Sequence, residues 1–282
     1  MSNSVTRKEW LQSATQSLSD VSDSSQLDAR LLICHALSIT KSNLLAWPDE
    51  VIADDNLVQL DKLLSRRQAG EPIAYILGST EFWGLEFNVS PAVLVPRPET
   101  ELVVETVLEL LPSEQLSKPN IIDMGTGSGA IAIALASELP NADITAVDVS
   151  EAALLVAESN RTLHECDNVT LIQSNWFERI DSNKPFDLIV SNPPYVAEND
   201  PHLADLTFEP DMALTAANDG MADIEHLSLE CASFLKPSGW LIVEHGYNQG
   251  ELVRQQFDSV GLTNIRTLTD LANLDRITIG QR

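Results

Sequence analysis

Apolar residues recur at helical spacing along the first part of the chain. If the first of these stretches is helical, one face of the helix carries Trp10, Leu11, Ala14 and Leu18. Residues 28–37 and 57–68 show the same spacing and predict two further helices. A glycine and a proline at positions 70 and 72 end the pattern, because both residues are poor helix formers. The pattern predicts a small helical domain over residues 1–75.

The pattern then changes to short apolar runs around turn glycines. Three such runs follow one another, at residues 75–78, 81–84 and 85–89. Their aromatic and aliphatic composition is typical of strands, and the glycines between them suit turns. A proline-rich segment closes this stretch at residues 91–98. We expect a β-hairpin that links two domains over residues 76–98.

Apolar runs alternate with helical stretches through the rest of the chain, residues 99–282. A helix over residues 99–111 is expected to begin this region. Such alternation predicts an α/β domain built on a doubly wound, mostly parallel sheet. The predicted strands cover residues 120–124, 144–148, 169–173, 188–191, 240–245, 265–268 and 277–280.

A glycine-rich turn follows the first of these strands. It is the segment Gly125-Thr126-Gly127-Ser128-Gly129, with Asp123 ahead of it and a helical stretch at 130–139 behind it. Glycines allow a ligand to approach the backbone, and the helix N-terminus adds oriented N–H groups. A dinucleotide site would need G-x-G-x-x-G. The shorter spacing resembles the S-adenosylmethionine loop of class I methyltransferases, and a purely structural turn is the alternative.

Polar residues also follow other predicted strands. Asp148 ends the second strand, about 20 residues past the glycines, where an acid suits the hydroxyl pair of a ribose. The alternative is a cap for the next helix, which begins near Ser150. Asn175-Trp176 and Asn192 follow later strands. Because the carboxyl ends of parallel strands meet at one edge of a sheet, we expect these residues to lie together.

The tetrapeptide Asn192-Pro193-Pro194-Tyr195 forms a rigid segment where a strand meets a loop. Two prolines fix the backbone and remove two N–H donors, while the carbonyls still accept hydrogen bonds. The Asn192 side chain adds an acceptor oxygen and an NH₂ donor. This arrangement suits a planar NH₂ group held by acceptors and covered by Tyr195. It indicates transfer to an amide or amino nitrogen, and a proline-rich turn that only ends a strand is the alternative.

Charge narrows the class of partner. The 282 residues contain 17 Lys and Arg against 42 Asp and Glu, a net charge of -25. Nucleic-acid enzymes need cationic surface against phosphates, so the balance favours a protein or small-molecule substrate. A basic partner would be attracted most strongly.

Cysteine usage and hydropathy indicate the compartment. Cys34, Cys166 and Cys231 are scattered, fit no zinc spacing and are expected to be free thiols in a reducing compartment. No apolar run approaches the ~20 residues of a membrane span, and no signal-peptide pattern follows Met1. We therefore expect a cytoplasmic protein with no metal site and no membrane partner.

Taken with these residues, the chain resembles the HemK/PrmC family of release-factor glutamine methyltransferases over nearly its whole length. The matching segments, besides the glycine loop, are Arg66-Arg67, Gly70-Glu71-Pro72-Ile73-Ala74-Tyr75, Glu81-Phe82-Trp83, Val95-Pro96-Arg97-Pro98-Glu99-Thr100, Ser191-Asn192-Pro193-Pro194-Tyr195, Phe208-Glu209-Pro210 and Glu244-His245-Gly246. The resemblance implies a class I, Rossmann-like methyltransferase sheet with a small N-terminal helical domain and a linking hairpin.

The resemblance also implies an activity. Such enzymes use S-adenosylmethionine to methylate the side-chain amide nitrogen of the glutamine in the Gly-Gly-Gln tip of class I release factors. The catalytic residues expected here are Asn192, Pro193 and Tyr195, and Pro194 joins them in binding the substrate. The residues expected to bind the cofactor are Gly125, Thr126, Gly127, Ser128, Gly129, Asp148, Trp176 and Asn192. The helical domain would recognise the release factor, and the enzyme would act as a monomer without direct nucleic-acid binding.

Some positions leave alternatives open. The family usually has an acid where Asn175 stands, and Asn175 can still accept a hydrogen bond through its carbonyl. Arg97 and Glu244 are candidates for shaping the pocket. The Asn-Pro-Pro-Tyr tetrapeptide is shared with enzymes that methylate the amino groups of adenine or guanine in DNA or rRNA, which is the alternative activity. A module that binds the cofactor and escorts release factors without catalysis is the other alternative.

Overall fold

The computed structural model describes residues 4–111 and 118–282. It divides the chain into two compact units, Met1–Gly78 and Ser79–Arg282. Among the described residues, no helix combines the length and the apolar character needed to cross a lipid bilayer.

The first unit is built from helices around its own apolar core. Thr6 begins the first helix with a capping box, in which its side chain and that of Glu9 each accept a hydrogen bond from the other's backbone N–H. The core collects Trp10, Ala14, Leu18, Leu32, Ile33 and Leu60. The helices are α1 (Arg7–Ser17), α2 (Ser25–Leu37), α3 (Lys41–Ala46), α4 (Asp54–Gln68) and α5 (Ile73–Leu77).

The helical spacing of the sequence correctly located α1, α2 and α4. The strand-like run expected at residues 75–78 is wrong, because Ile73–Leu77 forms α5. Gly78 ends this helix in the left-handed conformation, with φ +80. Bulky apolar residues in a segment of five are compatible with either structure, so their composition did not distinguish a short helix from a strand.

A β-hairpin opens the second unit. Strands β1 (Ser79–Phe82) and β2 (Leu85–Asn88) pair antiparallel around a two-residue turn. Both turn residues, Trp83 and Gly84, have positive φ, as the turn type that matches strand twist requires. The side chains of Phe82 and Phe87 are almost fully buried in the main core of this unit.

Seven strands of the second unit form one mixed sheet. Their spatial order is β10-β11-β9-β6-β3-β4-β5. The five strands from β9 to β5 run parallel to one another, whereas β11 is antiparallel to its two neighbours, β9 and β10. All seven predicted strands are confirmed, with longer bounds for several of them. The strands are β3 (Asn120–Met124), β4 (Asp143–Asp148), β5 (Val169–Gln173), β6 (Phe186–Ser191), β9 (Leu235–Glu244), β10 (Thr263–Thr269) and β11 (Asp275–Gln281). A two-strand sheet contains β7 (Val196–Ala197) and β8 (Thr215–Ala216).

Helices cover both faces of this sheet. Alternate residues of β3 point to opposite sides, so Ile121 belongs to one apolar cluster and Ile122 to the other. Such burial on both faces explains why the central strands read as continuous apolar runs. The helices are α6 (Glu101–Leu110), α7 (Ala130–Glu138), α8 (Glu151–Leu163), α9 (Ala222–Phe234) and α10 (Gly250–Ser259).

The strand order reverses direction beside β3. The chain passes from β3 to β4 and β5 on one side, and then returns to β6 on the other side. Ligands of open α/β sheets bind at the carboxyl ends of the strands near such a reversal. The loops after β3, β4, β5 and β6 therefore meet where a binding site is expected.

Candidate active site

A cavity of about 270 Å³ opens at this edge of the second unit. Its wall contains residues from the loops after β3, β4, β5 and β6. Of the residues predicted for the site, those that line it are Gly125, Thr126, Gly127, Ser128, Asp148, Trp176, Asn192 and Pro194. Gly129, Pro193 and Tyr195 are not part of the lining. The fold thus brings most of the predicted residues together from segments far apart in the sequence.

The glycine loop is held tightly from behind. A Cβ on Gly129 would come within 2.9 Å of Ile133 Cδ1, and its φ of +84 is the left-handed conformation that glycine adopts easily. Asn160 donates from Nδ2 to the carbonyls of Ser128 and Asn88, at 2.8 and 3.0 Å. This fully buried amide fastens the loop to the hairpin. Sequence reasoning missed Asn160, which lies in α8 with no motif around it.

Asp148 joins the loop after β4 to the glycine loop. Its Oδ2 accepts from the Gly127 N–H and its Oδ1 from the Ser150 N–H, both at 2.9 Å. Ser150 caps α8 through its own side chain, which accepts from the Ala153 N–H. The cap of α8 is therefore Ser150, and the alternative that Asp148 caps this helix is wrong. Burial raises the pKa of Asp148, although the two backbone N–H groups favour its charged form.

A second carboxyl lies fully buried beneath the loop. Asp123 Oδ2 accepts from the Thr126 hydroxyl at 2.6 Å, while Oδ1 has no hydrogen-bond partner among the described residues. Burial raises the pKa of Asp123 to about 7, and repulsion from Asp148 adds to the effect. Near neutral pH this carboxyl therefore exchanges between its neutral and charged forms.

The loop after β5 supplies the aromatic side of the cavity. The Asn175 side chain donates from Nδ2 to Glu178 Oε1 at 2.7 Å, which leaves its Oδ1 available as an acceptor. Burial raises the pKa of Asp223, a half-buried residue of the cavity wall, and the Trp176 indole opposes this shift. Asp223 was missed from the sequence, where an acid in the first turn of a helix has an ordinary explanation in the helix dipole.

The loop after β6 positions Asn192 toward the cavity. Its Nδ2 donates to Thr100 Oγ1 at 3.2 Å, and Thr100 also lines the cavity. Tyr195 is anchored away from the lining. Its hydroxyl donates to Glu244 Oε1 at 3.2 Å, and its carbonyl accepts from Gln249 Nε2 at 3.1 Å. That Tyr195 covers the plane of a substrate amide stays a prediction.

Two further ionisable groups, Glu244 and Arg97, are held by residues near this loop. The carboxyl of Glu244, 1% exposed, has a pKa raised to about 7 by burial, with hydrogen bonds from Thr100 and Tyr195 opposing the shift. Arg97 lines the cavity and forms an ion pair with Glu209, which also accepts from the Val95 N–H at 3.2 Å. The Pro-Arg-Pro-Glu-Thr and Phe-Glu-Pro segments therefore meet in one wall of the cavity.

Metal ligands do not gather in the described parts of the chain. Within residues 4–111 and 118–282, no group of three or more His, Cys, Asp or Glu side chains is arranged to hold a metal ion. The three cysteines are unpaired, and Cys166 and Cys231 are buried.

Both units of the chain are similar to known proteins. Residues 9–78 match the family model of the PrmC N-terminal domain, and residues 116–271 match that of a methyltransferase domain. A relative from Vibrio cholerae serotype O1, named release factor glutamine methyltransferase, is 47% identical over 281 residues, which cover 99% of this chain and 97% of the relative. The protein of the same name from Escherichia coli K12 is 43% identical over 274 residues, covering 96% and 97%.

A solved structure supports the fold alone. The crystal structure of a methyltransferase from Pyrococcus furiosus superposes with a TM-score of 0.54 at 17% identity. The match covers 78% of this chain and 98% of that one.

Proposed function

Because this chain belongs to the family of release factor glutamine methyltransferases, we propose that it methylates the side-chain amide nitrogen of the glutamine in the Gly-Gly-Gln tip of class I release factors. The methyl donor is S-adenosylmethionine. The observation that carries the proposal is the 47% identity to the Vibrio cholerae relative over 99% of this chain. The match extends through the helical first unit, which a shared catalytic fold alone would not require.

The residues of the cavity fit S-adenosylmethionine in charge and hydrogen bonding. When bound, the cofactor supplies an electrophilic methyl group on a cationic sulfur. Carboxyls at Asp148 and Asp223 in the wall suit a cation and would repel a pyrophosphate. Asp148 retains lone pairs on both oxygens for the ribose hydroxyls. The Trp176 ring offers an apolar surface for the adenine, and Asn175 Oδ1 is available to its amino group.

The segment Asn192-Pro193-Pro194-Tyr195, which we call the rim, fits the amide of a glutamine side chain. With its Nδ2 bonded to Thr100, Asn192 keeps Oδ1 available to accept one of the two amide hydrogens. In our proposal the Pro193 carbonyl accepts the other hydrogen, and Pro194 and Tyr195 fix the geometry of the rim. The loop is well suited to this role because Glu244 and Gln249 hold Tyr195 at both its hydroxyl and its carbonyl.

The chemistry that follows is mainly one of positioning. An amide nitrogen is a poor nucleophile because its lone pair is delocalised into the carbonyl. Two acceptors aim this nitrogen at the methyl group and stabilise the positive charge that develops on its hydrogens. As the bond from nitrogen to the methyl carbon forms, the bond from that carbon to sulfur would break and leave a neutral thioether. The methylated amide would then lose a proton to water, so no strong base has to act before the methyl transfer.

The helical region, residues 1–75, is assigned the recognition of the release factor. An apolar groove of about 720 Å³ in the first unit is lined by Leu11, Leu44, Leu45 and Pro48 and edged by Lys8, Arg30 and Lys41. None of the ion pairs between described residues involves these three cations. Charge complementarity therefore selects a release-factor surface that places acidic side chains around an apolar patch.

This surface would supply the contact area that the rim lacks. A stable protein interface buries about 1,200–2,000 Å² in total, much more than a single glutamine side chain can cover. We further propose that the enzyme acts as a monomer in the cytoplasm and binds no nucleic acid directly. Sedimentation of the enzyme with and without a release factor tests the stoichiometry.

The activity is tested by incubating the enzyme with radiolabelled S-adenosylmethionine and, in separate reactions, a class I release factor, DNA and rRNA. We expect label on the release factor alone. Label confined to nucleic acid would contradict the proposal and establish the adenine or guanine amino-methyltransferase alternative. Tight cofactor binding with no transfer to any of the three would favour a binding module without catalysis.

A further inference from the structure

A buried side-chain amide joins three loops behind the rim. Gln249, directly before α10, is 5% exposed. Its Nε2 donates to the Tyr195 carbonyl at 3.1 Å and to the Asp219 carbonyl at 3.2 Å. Its Oε1 accepts from the Gly246 N–H at 2.8 Å. Both hydrogens and the oxygen of this amide are therefore used, and each of the three bonds reaches a different loop, after β6, before α9 and after β9.

The rim needs bonds from other segments because its own backbone offers few donors. Pro193 and Pro194 have no N–H group, and their rings fix φ at both positions. The segment from Pro193 to Tyr195 is therefore stiff, and a displacement of the Tyr195 carbonyl is transmitted to the Pro193 carbonyl. In the proposed function, the Pro193 carbonyl accepts a hydrogen of the substrate amide.

The loop before α9 is strained where Gln249 binds it. Asn218, Asp219 and Gly220 have φ values of 56°, 53° and 83°, so three successive residues are left-handed. Such a run costs energy even though these residue types enter the left-handed region more readily than others. A Cβ on Gly220 would overlap the Tyr195 carbonyl oxygen and come within 2.8 Å of Gln249 Nε2. The left-handed turn is therefore packed directly against the bond from Gln249 to the rim.

We propose that Gln249 is a positioning residue that fixes the rim through the Tyr195 carbonyl, with the left-handed turn supporting this carbonyl from beside it. This role rests on the proposed function, in which the rim accepts the hydrogens of the substrate amide. Gln249 does not line the cavity, so it acts on the substrate only through the rim. A small shift of the rim misdirects the amide nitrogen, and methyl transfer depends on the alignment of this nitrogen with the methyl carbon.

Two substitutions at Gln249 remove its donors in different ways. Gln249→Leu removes all three hydrogen bonds. Gln249→Glu keeps the shape and the acceptor for the Gly246 N–H, but its carboxylate would face two carbonyls and repel them. We expect each substitution to lower kcat about 10-fold or more, with the Kd for S-adenosylmethionine nearly unchanged. Gln256→Leu is the matched control, because Gln256 lies in α10 outside the cavity wall and donates to Ser228 Oγ at 2.8 Å.

A substitution at Gly220 perturbs the same carbonyl from the other side. The methyl group added by Gly220→Ala would meet the Tyr195 oxygen, so we expect a similar loss of kcat. Gly261→Ala is its matched control. Gly261 has a φ of 81°, close to that of Gly220, but a Cβ there would meet nothing within 4 Å. Because both alanines carry similar backbone strain, a difference in kcat between the two variants reports the contact with the rim.

The measurement is kcat and KM on an intact release factor, with the calorimetric Kd for S-adenosylmethionine and a melting curve for every variant. The expected loss is in kcat for both Gln249 variants and for Gly220→Ala. Gln256→Leu and Gly261→Ala should keep the wild-type kcat even where the melting temperature falls. If Gln249→Leu fails to fold, Gln249→Glu and Gly220→Ala carry the same prediction.

The outcomes distinguish the positioning role from the proposed function. A wild-type enzyme that methylates no release factor would overturn the proposed function itself. An active wild type with Gln249→Glu or Gly220→Ala at full kcat would overturn the positioning role alone. A loss of kcat that follows the melting temperature equally in the two control variants would also overturn it, because general stability and not the rim would then be the cause.

Discussion

The two units of this chain carry very different charge. Met1–Gly78 contains seven Lys and Arg against ten Asp and Glu, whereas Ser79–Arg282 contains ten against thirty-two. Three cations of the first unit's groove form no ion pair with another described residue, while Arg97, in the cavity wall of the second unit, is paired with Glu209. The net charge of the whole chain therefore conceals a division in charge, and our proposal assigns methyl transfer to the strongly acidic unit and recognition of the release factor to the other.

The largest effect is expected at the rim of the second unit. Asn192→Ala removes the acceptor oxygen and the donor to Thr100. We expect kcat to fall about 10²-fold or more, because the group acts chiefly in the transition state, while the cofactor Kd stays nearly constant. Asn183→Ala, at an exposed asparagine outside the cavity, is the control. A kcat near wild type in the rim variant would remove the amide-holding role from Asn192.

The next effect concerns cofactor affinity. Asp148→Ala should weaken binding of S-adenosylmethionine by about 2–3 kcal/mol, the scale of hydrogen bonds to a charged group. Asp143→Ala removes an exposed acid from the start of the same strand and should leave affinity unchanged. Calorimetry on both variants, with melting curves, tests this. A lower melting temperature with full affinity would mean that Asp148 serves only to tie Gly127 and Ser150 together.

A third effect concerns stability and pH in the same unit. The pKa of Asp123 is raised to about 7, so the folded state holds this proton more tightly than the unfolded chain. Its stabilising contribution is therefore complete below the ordinary carboxyl pKa and is lost as pH rises toward 7. Asp123→Asn lacks this titration.

We expect the free energy of unfolding of wild type, measured relative to Asp123→Asn, to drop by about 4 kcal/mol between pH 4 and pH 8. Denaturant titrations at several pH values provide the measurement. A difference that stays constant with pH would show that Asp123 has the same pKa in the folded and unfolded states.

The smallest effect is expected in the first unit. Reversing charge at the groove, with Arg30→Glu and Lys41→Glu together, should raise KM for an intact release factor about 10-fold and reduce its dependence on salt. A short Gly-Gly-Gln peptide should be methylated as by wild type. Lys62→Glu, an exposed cation of α4 outside the groove, is the matched control. Equal changes with protein and peptide would refute the division of roles between the units.

The sequence revealed the elements with strong local signals. Continuous apolar runs located the central strands, because burial on both faces leaves few polar positions in them. The glycine loop, Asp148 and Asn192 were found because each follows a strand whose carboxyl end faces the cavity. Of the short helices, α3 was not predicted and part of α5 was predicted as a strand, since five or six residues show little periodicity.

Contacts between distant segments could not be predicted in the same way. The bond between Thr100 and Asn192 joins residues 92 positions apart, and nothing in either local sequence specifies it. Tyr195 follows the prolines directly, yet its hydroxyl bonds to Glu244 behind the wall. Neighbouring positions in a motif do not fix the direction of each side chain, because that direction depends on partners that only the fold supplies.

The position of the transferred methyl group tests the central claim most directly. A class I release factor is incubated with the enzyme and S-adenosylmethionine, and its Gly-Gly-Gln peptide is sequenced by tandem mass spectrometry. A release factor with alanine in place of that glutamine is the matched control. We predict one methyl group on the glutamine side-chain nitrogen and none on the control protein. A methyl group on another residue, or equal labelling of the alanine protein, would contradict the account.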